Sequence, residues 1–220
     1  MNAVIRYIIG ALFLLVGTQM PVVASQIWQG MFNEHPENAK AGEADAQYEV
    51  GIMYLKGQGV AQDRDKGLQW LKKSSAGGYE QATSKLNRIK EQEEKFRQLL
   101  REAKSLNAEA QYEVAVMYLK GRGVDQDGAK AREWMGKAAD QGDVKAITRL
   151  GILNYKGEGG ARNYDQAMKL FKRVSDKNAL AQYYLGEMYA NGNGVRKNYP
   201  TAMEWYKKAA AGGFDRAQGK

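Results

Sequence analysis

The chain has 220 residues, with 33 Lys and Arg against 25 Asp and Glu, one histidine and no cysteine. The missing cysteine excludes disulfides, a thiol nucleophile and thiolate metal ligands. Any imidazole chemistry would rest on His35 alone, whereas nucleophilic and zinc sites need several convergent groups.

Residues 1–24 read as a secretory signal peptide. Arg6 gives a positive start, Tyr7 to Val16 is an apolar run, and Val22-x-Ala24 offers small residues for cleavage. An uncleaved anchor is the alternative. Gln19 and Pro21 interrupt the run, which is short for a membrane span, and this favours cleavage near Ala24. The expected location is therefore periplasmic or secreted. With no cysteine after the signal, the chain is not expected to be a lipoprotein.

Residues 25–45 read as an N-terminal helical cap. Ile27, Trp28, Met31 and Phe32 make a short apolar face, and Pro36 opens a second short helix. Gly42 precedes Ala46 by four residues, as Gly142 precedes Ala146. The segment before Ala46 should thus be the end of one hairpin feeding the next.

Four copies of one unit follow, at 46–81, 110–145, 146–180 and 181–220, the last running into a short uncapped end. Self-similarity at this period implies stacked helical hairpins. In the cleanest copy, Ala110, Val114, Ala115 and Tyr118 form the stripe of a first helix. Position 115 is small in every copy (Gly51, Gly151 and Gly186 elsewhere), which lets a second helix approach closely. Gly57, Gly121, Gly157 and Gly192 stop the first helix, and Val124 plugs the loop behind it. Asp63, Asp127, Asn163 and Asn198 are placed to N-cap the second helix, and Pro200 sits in its first turn. Trp70, Trp134 and Trp205, with Leu170 at the same place, read as core. Truncating a fully buried Trp134 would cost roughly 3–5 kcal/mol, and truncating Leu170 somewhat less. Asn107 and Asn178 read as stand-ins for the closing glycine, asparagine being the second choice for a left-handed C-cap.

Residues 82–109 break the pattern. Ala82 arrives on schedule, but Ala110 follows after 28 residues, where Ala146 and Ala181 are 35 apart. The missing seven match the loop from Gly121 to Asp127. A degenerate repeat without its loop has nothing to reverse it, and no Gly or Pro occurs between Gly78 and Gly121. One long helix over about 80–104, ending near Asn107, is expected. Two short helices with a turn near Glu91–Glu94 are the alternative. The long helix would divide the molecule into two lobes.

The unit resembles the Sel-like (Sel-one-like) repeat family, relatives of the tetratricopeptide repeats. Residues 181–213, AQYYLGEMYANGNGVRKNYPTAMEWYKKAAAGG, follow the family pattern almost throughout. The third copy departs from it at Asn154, Gly160 and Leu170, which suggests a looser loop. The resemblance implies an all-α fold, a right-handed superhelical solenoid of antiparallel helical hairpins. It also implies a non-enzymatic scaffold or adaptor that binds other proteins or peptides, here in the cell envelope. Some cysteine-rich relatives have been linked to penicillin binding. A cell-wall or β-lactam hydrolase is therefore one alternative, although this chain lacks their cysteines and any evident nucleophile–base pair.

No residue pattern calls for a catalytic, metal or cofactor site. The loops GQGV, GRGV and GNGV end helices and do not leave a strand, so a phosphate-binding reading lacks its context. Asp63/Asp65 and Asp125/Asp127 flank helix starts, where acids are favoured anyway. Residues 146–220 carry 13 basic against 6 acidic residues, and residues 25–81 carry 6 against 8. The basic end makes an anionic envelope polymer a third candidate ligand, while nucleic acid is not expected in that compartment. The partner-binding face should be the side of each first helix away from its stripe. We place it on the last three repeats, at Tyr112, Val116, Leu119, Ile152, Tyr155 and Tyr183, rimmed by Lys120, Arg149 and Lys156. This face would line the concave side of the solenoid and suit an extended acidic peptide. The competing site is the uncapped end, with Trp205, Tyr206 and Phe214.

Overall fold

The computed structural model describes residues 37–214, and among these every regular element is helical. After a helical stretch at 37–41, the order is α1 (Ala44–Lys56), α2 (Arg64–Ala76), α3 (Glu80–Lys104), α4 (Ala108–Lys120), α5 (Gly128–Asp140), α6 (Val144–Lys156), α7 (Tyr164–Val174), α8 (Ala179–Asn191) and α9 (Tyr199–Ala211). The pairs α1/α2, α4/α5, α6/α7 and α8/α9 are hairpins. The second helix of one hairpin packs on the first of the next at α5/α6 and α7/α8. Two compact units result, one ending at Ile89 and one starting at Lys90, with the boundary inside α3.

Each hairpin is held by one repeated contact. A Cβ added at Gly51 would lie 3.0 Å from Leu71, at Gly151 2.5 Å from Phe171, and at Gly186 2.6 Å from Tyr206. Ala115 faces the corresponding Met135 in the same buried cluster. The large partners are fully or almost fully buried, at 0% for Leu71, Met135 and Phe171 and 5% for Tyr206. The small residue on the first helix is thus what admits the large residue of the second.

This shifts the core by one position from the sequence expectation. Trp70, Trp134 and Trp205 are only half-buried. Each ring lies under a lysine three residues on, with Lys73 Nζ 4.5 Å, Lys137 Nζ 4.1 Å and Lys208 Nζ 4.5 Å from the ring centres. The ammonium thus sits over the ring's face in a cation–π contact. Leu170, at 6% exposure, is the more buried residue at this place.

The loops are tied at both ends. The N-capping side chains of Asp63, Asp127, Asn163 and Asn198 accept from Lys66, Lys130, Gln166 and Thr201 N–H. Their own N–H groups donate back to the carbonyls of Tyr54, Tyr118, Asn154 and Tyr189 in the first helix, at 2.8–3.0 Å. Asn107 and Asn178 prove to be N-caps as well. Their backbones are extended and their side chains accept from Ala110 and Ala181 N–H. The residue at the closing-glycine position before α4 is Leu106, left-handed at φ 63° and 74% exposed. The asparagines were one residue out of register with the glycines, and capping chemistry decided the fit.

The third copy is not loose. Arg132 of α5 reaches into it and donates to Asn154 Oδ1 at 3.0 Å and, at 3.4 Å, to the Ala161 carbonyl. A Cβ at Gly160 would lie 2.6 Å from Arg132 Nη1. Asn154 and Gly160, which depart from the repeat pattern, together accommodate this guanidinium and exchange an apolar plug for a polar joint.

The helix α3 runs unbroken through its 25 residues. Its second half plays the part of a second helix. Gln111 Nε2 donates to the Ala103 carbonyl, as Gln47 Nε2 donates to that of Ala39. Ala103 and Phe96 are buried against α4, with Phe96 edge-on to Tyr118. Gly123 of the next loop approaches Gln92 so closely that a Cβ would lie 2.2 Å from its carbonyl oxygen. Gly159 meets Gly128 in the same way. The middle of α3 therefore occupies the place that the lost loop and helix start would have filled. In the first unit, Ala39 packs with Ala46 and Val50, and Leu71 with Ile52, Ala82 and Ile89. The part of the expected cap before residue 37 lies outside the described residues.

Two sets of substitutions test this packing. Gly151→Ala drives a methyl into Phe171 and should destabilise by about 1–3 kcal/mol. Gly136→Ala, also within a helix but with nothing within 4 Å of the added carbon, should stabilise by about 0.5–1 kcal/mol. Opposite signs in urea titrations are expected, and a stabilising Gly151→Ala would overturn the close-approach assignment. Met135→Ala should cost about 2–5 kcal/mol and exceed the cost of Trp134→Ala; thermal melts of the two variants decide the order.

Candidate functional site: the first-helix face

In the second unit, the face away from the buried stripe is built by α4, α6 and α8. The stripe itself is as the spacing requires, with Ala110, Val114, Ala115 and Tyr118 all buried. Tyr112, Val116 and Leu119 are half-buried and pack against the main core cluster, while Lys120 at the end of α4 is exposed. On α6, Tyr155 is half-buried and Lys156 exposed. Arg149 and Lys156 share one carboxylate, Glu158, at 3.7 and 3.6 Å. Ile152 does not belong to the surface. It is 5% exposed and sits in the core cluster.

The tyrosines gather into a continuous aromatic cluster. Tyr155 contacts Tyr164 and Tyr184 edge-on, with ring centres 5.5 and 5.3 Å apart. Tyr184 stacks on Phe171, and Tyr183 touches Tyr184, Tyr206 and Phe214. Asn193 donates to Tyr155 Oη at 2.9 Å. Tyr206 Oη donates to Glu187 Oε1 at 2.6 Å. The structure thus joins Tyr155 and Tyr183 but spends much of their surface on the repeat junction. Sequence spacing does not point to Tyr164, Tyr184 or Asn193. The doubled Tyr183-Tyr184 was the available signal, since two adjacent rings on a helix serve two different neighbours.

Burial, reinforced by the hydrogen bond to Glu187, holds the Tyr206 phenol well above the usual tyrosine range. Burial also raises Tyr155, opposed by its bond from Asn193. Asp63 and Asp127 are held below the usual carboxylate range by the N–H groups they cap, with Lys66 and Lys130 beside them. Those are capping geometries, as expected. Among the described residues no group of three His, Cys, Asp or Glu is placed to hold a metal, and no helix is long and apolar enough to cross a membrane. His35 lies outside the described residues. The competing end site changes in composition. Tyr206 is buried, whereas Tyr199 and Met203 of the last hairpin are 60% and 41% exposed.

The Sel1 repeat pattern matches residues 44–79, 108–143, 144–178 and 179–214. The chain belongs to the Sel1 repeat family. The four matched repeats are the four hairpins, and they skip the whole of α3. Among solved structures, the chain is similar to c5321, a protective antigen of uropathogenic Escherichia coli with an SLR fold. The identity is 27%, the TM-score 0.56, and the match covers 85% of this chain and 42% of that one. A Sel1 repeat protein from Oxalobacter formigenes matches at 27% identity and TM-score 0.50, over 80% and 60% of the two chains. Among curated proteins, Arabidopsis thaliana HRD3B, an ERAD-associated E3 ubiquitin-protein ligase component, is 34% identical over 108 residues. That match takes in 48% of this chain but 17% of the relative. The Sel1 fold is typical of protein–protein interaction scaffolds, and its family members are generally non-catalytic.

The Tyr206 phenol gives a pH test. Its folded pKa is raised above the unfolded value of about 10, so its contribution to stability is present below that pH and is lost as pH rises above it. Tyr206→Phe should therefore show a shallower loss of stability above pH ~10 than the parent chain. Equal slopes in denaturant titrations at alkaline pH would contradict the buried Tyr206–Glu187 bond.

Proposed function

We propose that this protein is an exported scaffold that binds another protein on the first-helix face of its last three repeats. One observation carries this reading: Tyr112, Val116 and Leu119 lie half-buried along α4, beside the exposed Lys120. Half-exposed aromatic and aliphatic side chains supply contact area, and the tyrosine hydroxyl adds a polar handle. The adjacent cations Lys120, Arg149 and Lys156 tune partner choice and association rate more than affinity. A similarity to HRD3B, an E3 ubiquitin-protein ligase component by its name, supports an assembly role. Export rests on the signal-like residues 1–24.

The experiment is affinity purification of the tagged full chain from its native envelope fraction, with N-terminal sequencing of the recovered chain. The mature chain should start near Ser25, and a specific protein should co-purify. Tyr112→Ala combined with Lys120→Glu should lose that protein while the chain keeps its helical signal. The pair Tyr199→Ala and Met203→Ala, at the last hairpin, should retain it. The reverse pattern would move the site to the end of the stack, and an intact Met1 on a cytoplasmic chain would defeat export.

A further inference from the structure

The first unit holds a second charged surface. Lys56 is the last residue of α1, directly after Leu55, and is exposed. Lys85 and Arg88 stand one helical turn apart on α3, on the same side of the apolar pair Leu86 and Ile89, of which Ile89 is buried. Leu55 and Leu86 pack into the same apolar cluster, which brings the end of α1 against this turn of α3. The charges acting on Lys85 are those of Arg88 and Lys56, both positive, and its ammonium is half-buried and held below the usual lysine range, first by that burial. Among the described residues no carboxylate forms an ion pair with any of the three.

The second unit shows what self-neutralisation looks like. Lys156 ends α6 as Lys56 ends α1, and Arg149 stands two turns before it on the same helix, where α1 has Glu49. There both cations are met by Glu158 from the loop. In the first unit the corresponding loop residue is Gln58, which is uncharged. The surroundings do not explain the trio as part of a general basic surface either, since residues 25–89 carry 8 basic and 8 acidic residues. Holding three like charges together at a partly desolvated site is unfavourable unless an anion meets them. The neighbouring side chains Tyr48 and Leu55 are half-buried, so an anion would arrive beside apolar contact area.

We propose that Lys56, Lys85 and Arg88 form a docking point for an acidic segment of a partner protein, separate from the first-helix face of the last three repeats. The partner's carboxylates take the place that Glu158 fills in the second unit, and Tyr48 and Leu55 receive the apolar residues between them. The proposal rests on the scaffold reading but assigns it a different surface and a chemical class of partner.

The test is fluorescence anisotropy of the full chain with a labelled Glu/Leu-alternating peptide. A Gln/Leu peptide is the neutral control, and vesicles containing anionic lipid are a parallel arm. Lys85→Glu with Arg88→Glu should weaken Glu/Leu binding by about tenfold or more. The charge-matched pair Lys172→Glu with Lys207→Glu, on α7 and α9, should change it by less than about twofold. Binding should fall when salt rises from about 0.05 M to about 0.5 M. Equal losses in the two variants would mean diffuse attraction to net charge and would overturn the site. Trio-dependent vesicle binding without peptide binding would overturn it in favour of a membrane surface. No peptide binding to the parent chain, while a protein still co-purifies from the envelope, would overturn the docking point and leave the scaffold reading standing.

Discussion

The fold depends on one contact repeated four times, a small residue on a first helix against a large one on the second. Gly51 with Leu71, Ala115 with Met135, Gly151 with Phe171, and Gly186 with Tyr206 set the spacing between the helices of each hairpin. That spacing fixes which residues remain on the opposite face. Helical geometry then leaves Tyr112, Val116 and Leu119 half-buried when Val114 and Ala115 are core. The candidate binding face is thus a by-product of close packing on the other side of the same helix. The third and fourth pairs set rigid aromatic rings against bare glycines, and the second uses the flexible methionine against alanine. Each pair is balanced within itself.

Much of this was legible in the residues because it depends on local chemistry. The glycine stops, the four Asp and Asn caps and the small position on the first helix follow from backbone and capping preferences that act within a few residues. The long helix α3 was also legible, since the loop that would reverse it is missing and neither Gly nor Pro breaks it. Legibility failed where a side chain's fate is decided by a neighbour distant in sequence. Tryptophan looked like core by size, but its place on the second helix lies one residue from the position that meets the first helix, and a lysine ammonium sits over its ring. Asn154 and Gly160 looked like weak points because their common partner, Arg132, lies in another repeat.

The candidate site was legible as a face and illegible as a surface. The spacing of 112, 116 and 119 places these residues together on the half-buried side of α4. It could not show that Ile152 belongs to the core cluster, or that Tyr155 and Tyr183 are drawn into a ring cluster with Tyr184 and Phe171. Charges behaved alike. Arg149 and Lys156 read as rim cations by spacing, but the loop brings Glu158 to both, while Lys56 lies on a different helix from Lys85 and Arg88, so no spacing along one helix joins the three. Net charge by segment therefore pointed to the C-terminal third, whereas the local balance points to the turn of α3 beside α1.

The paired-contact account is tested most directly by a double-mutant cycle at the third hairpin, replacing its pair with that of the second. Gly151→Ala and Phe171→Met are made singly and together, and each unfolding free energy is measured in urea. If the small and large residues are matched to each other, the double variant should be more stable than the sum of the single losses implies, by about 1 kcal/mol or more. Losses that add within about 0.3–0.5 kcal/mol would show that the two residues do not sense each other, and would contradict the contact on which the fold has been built.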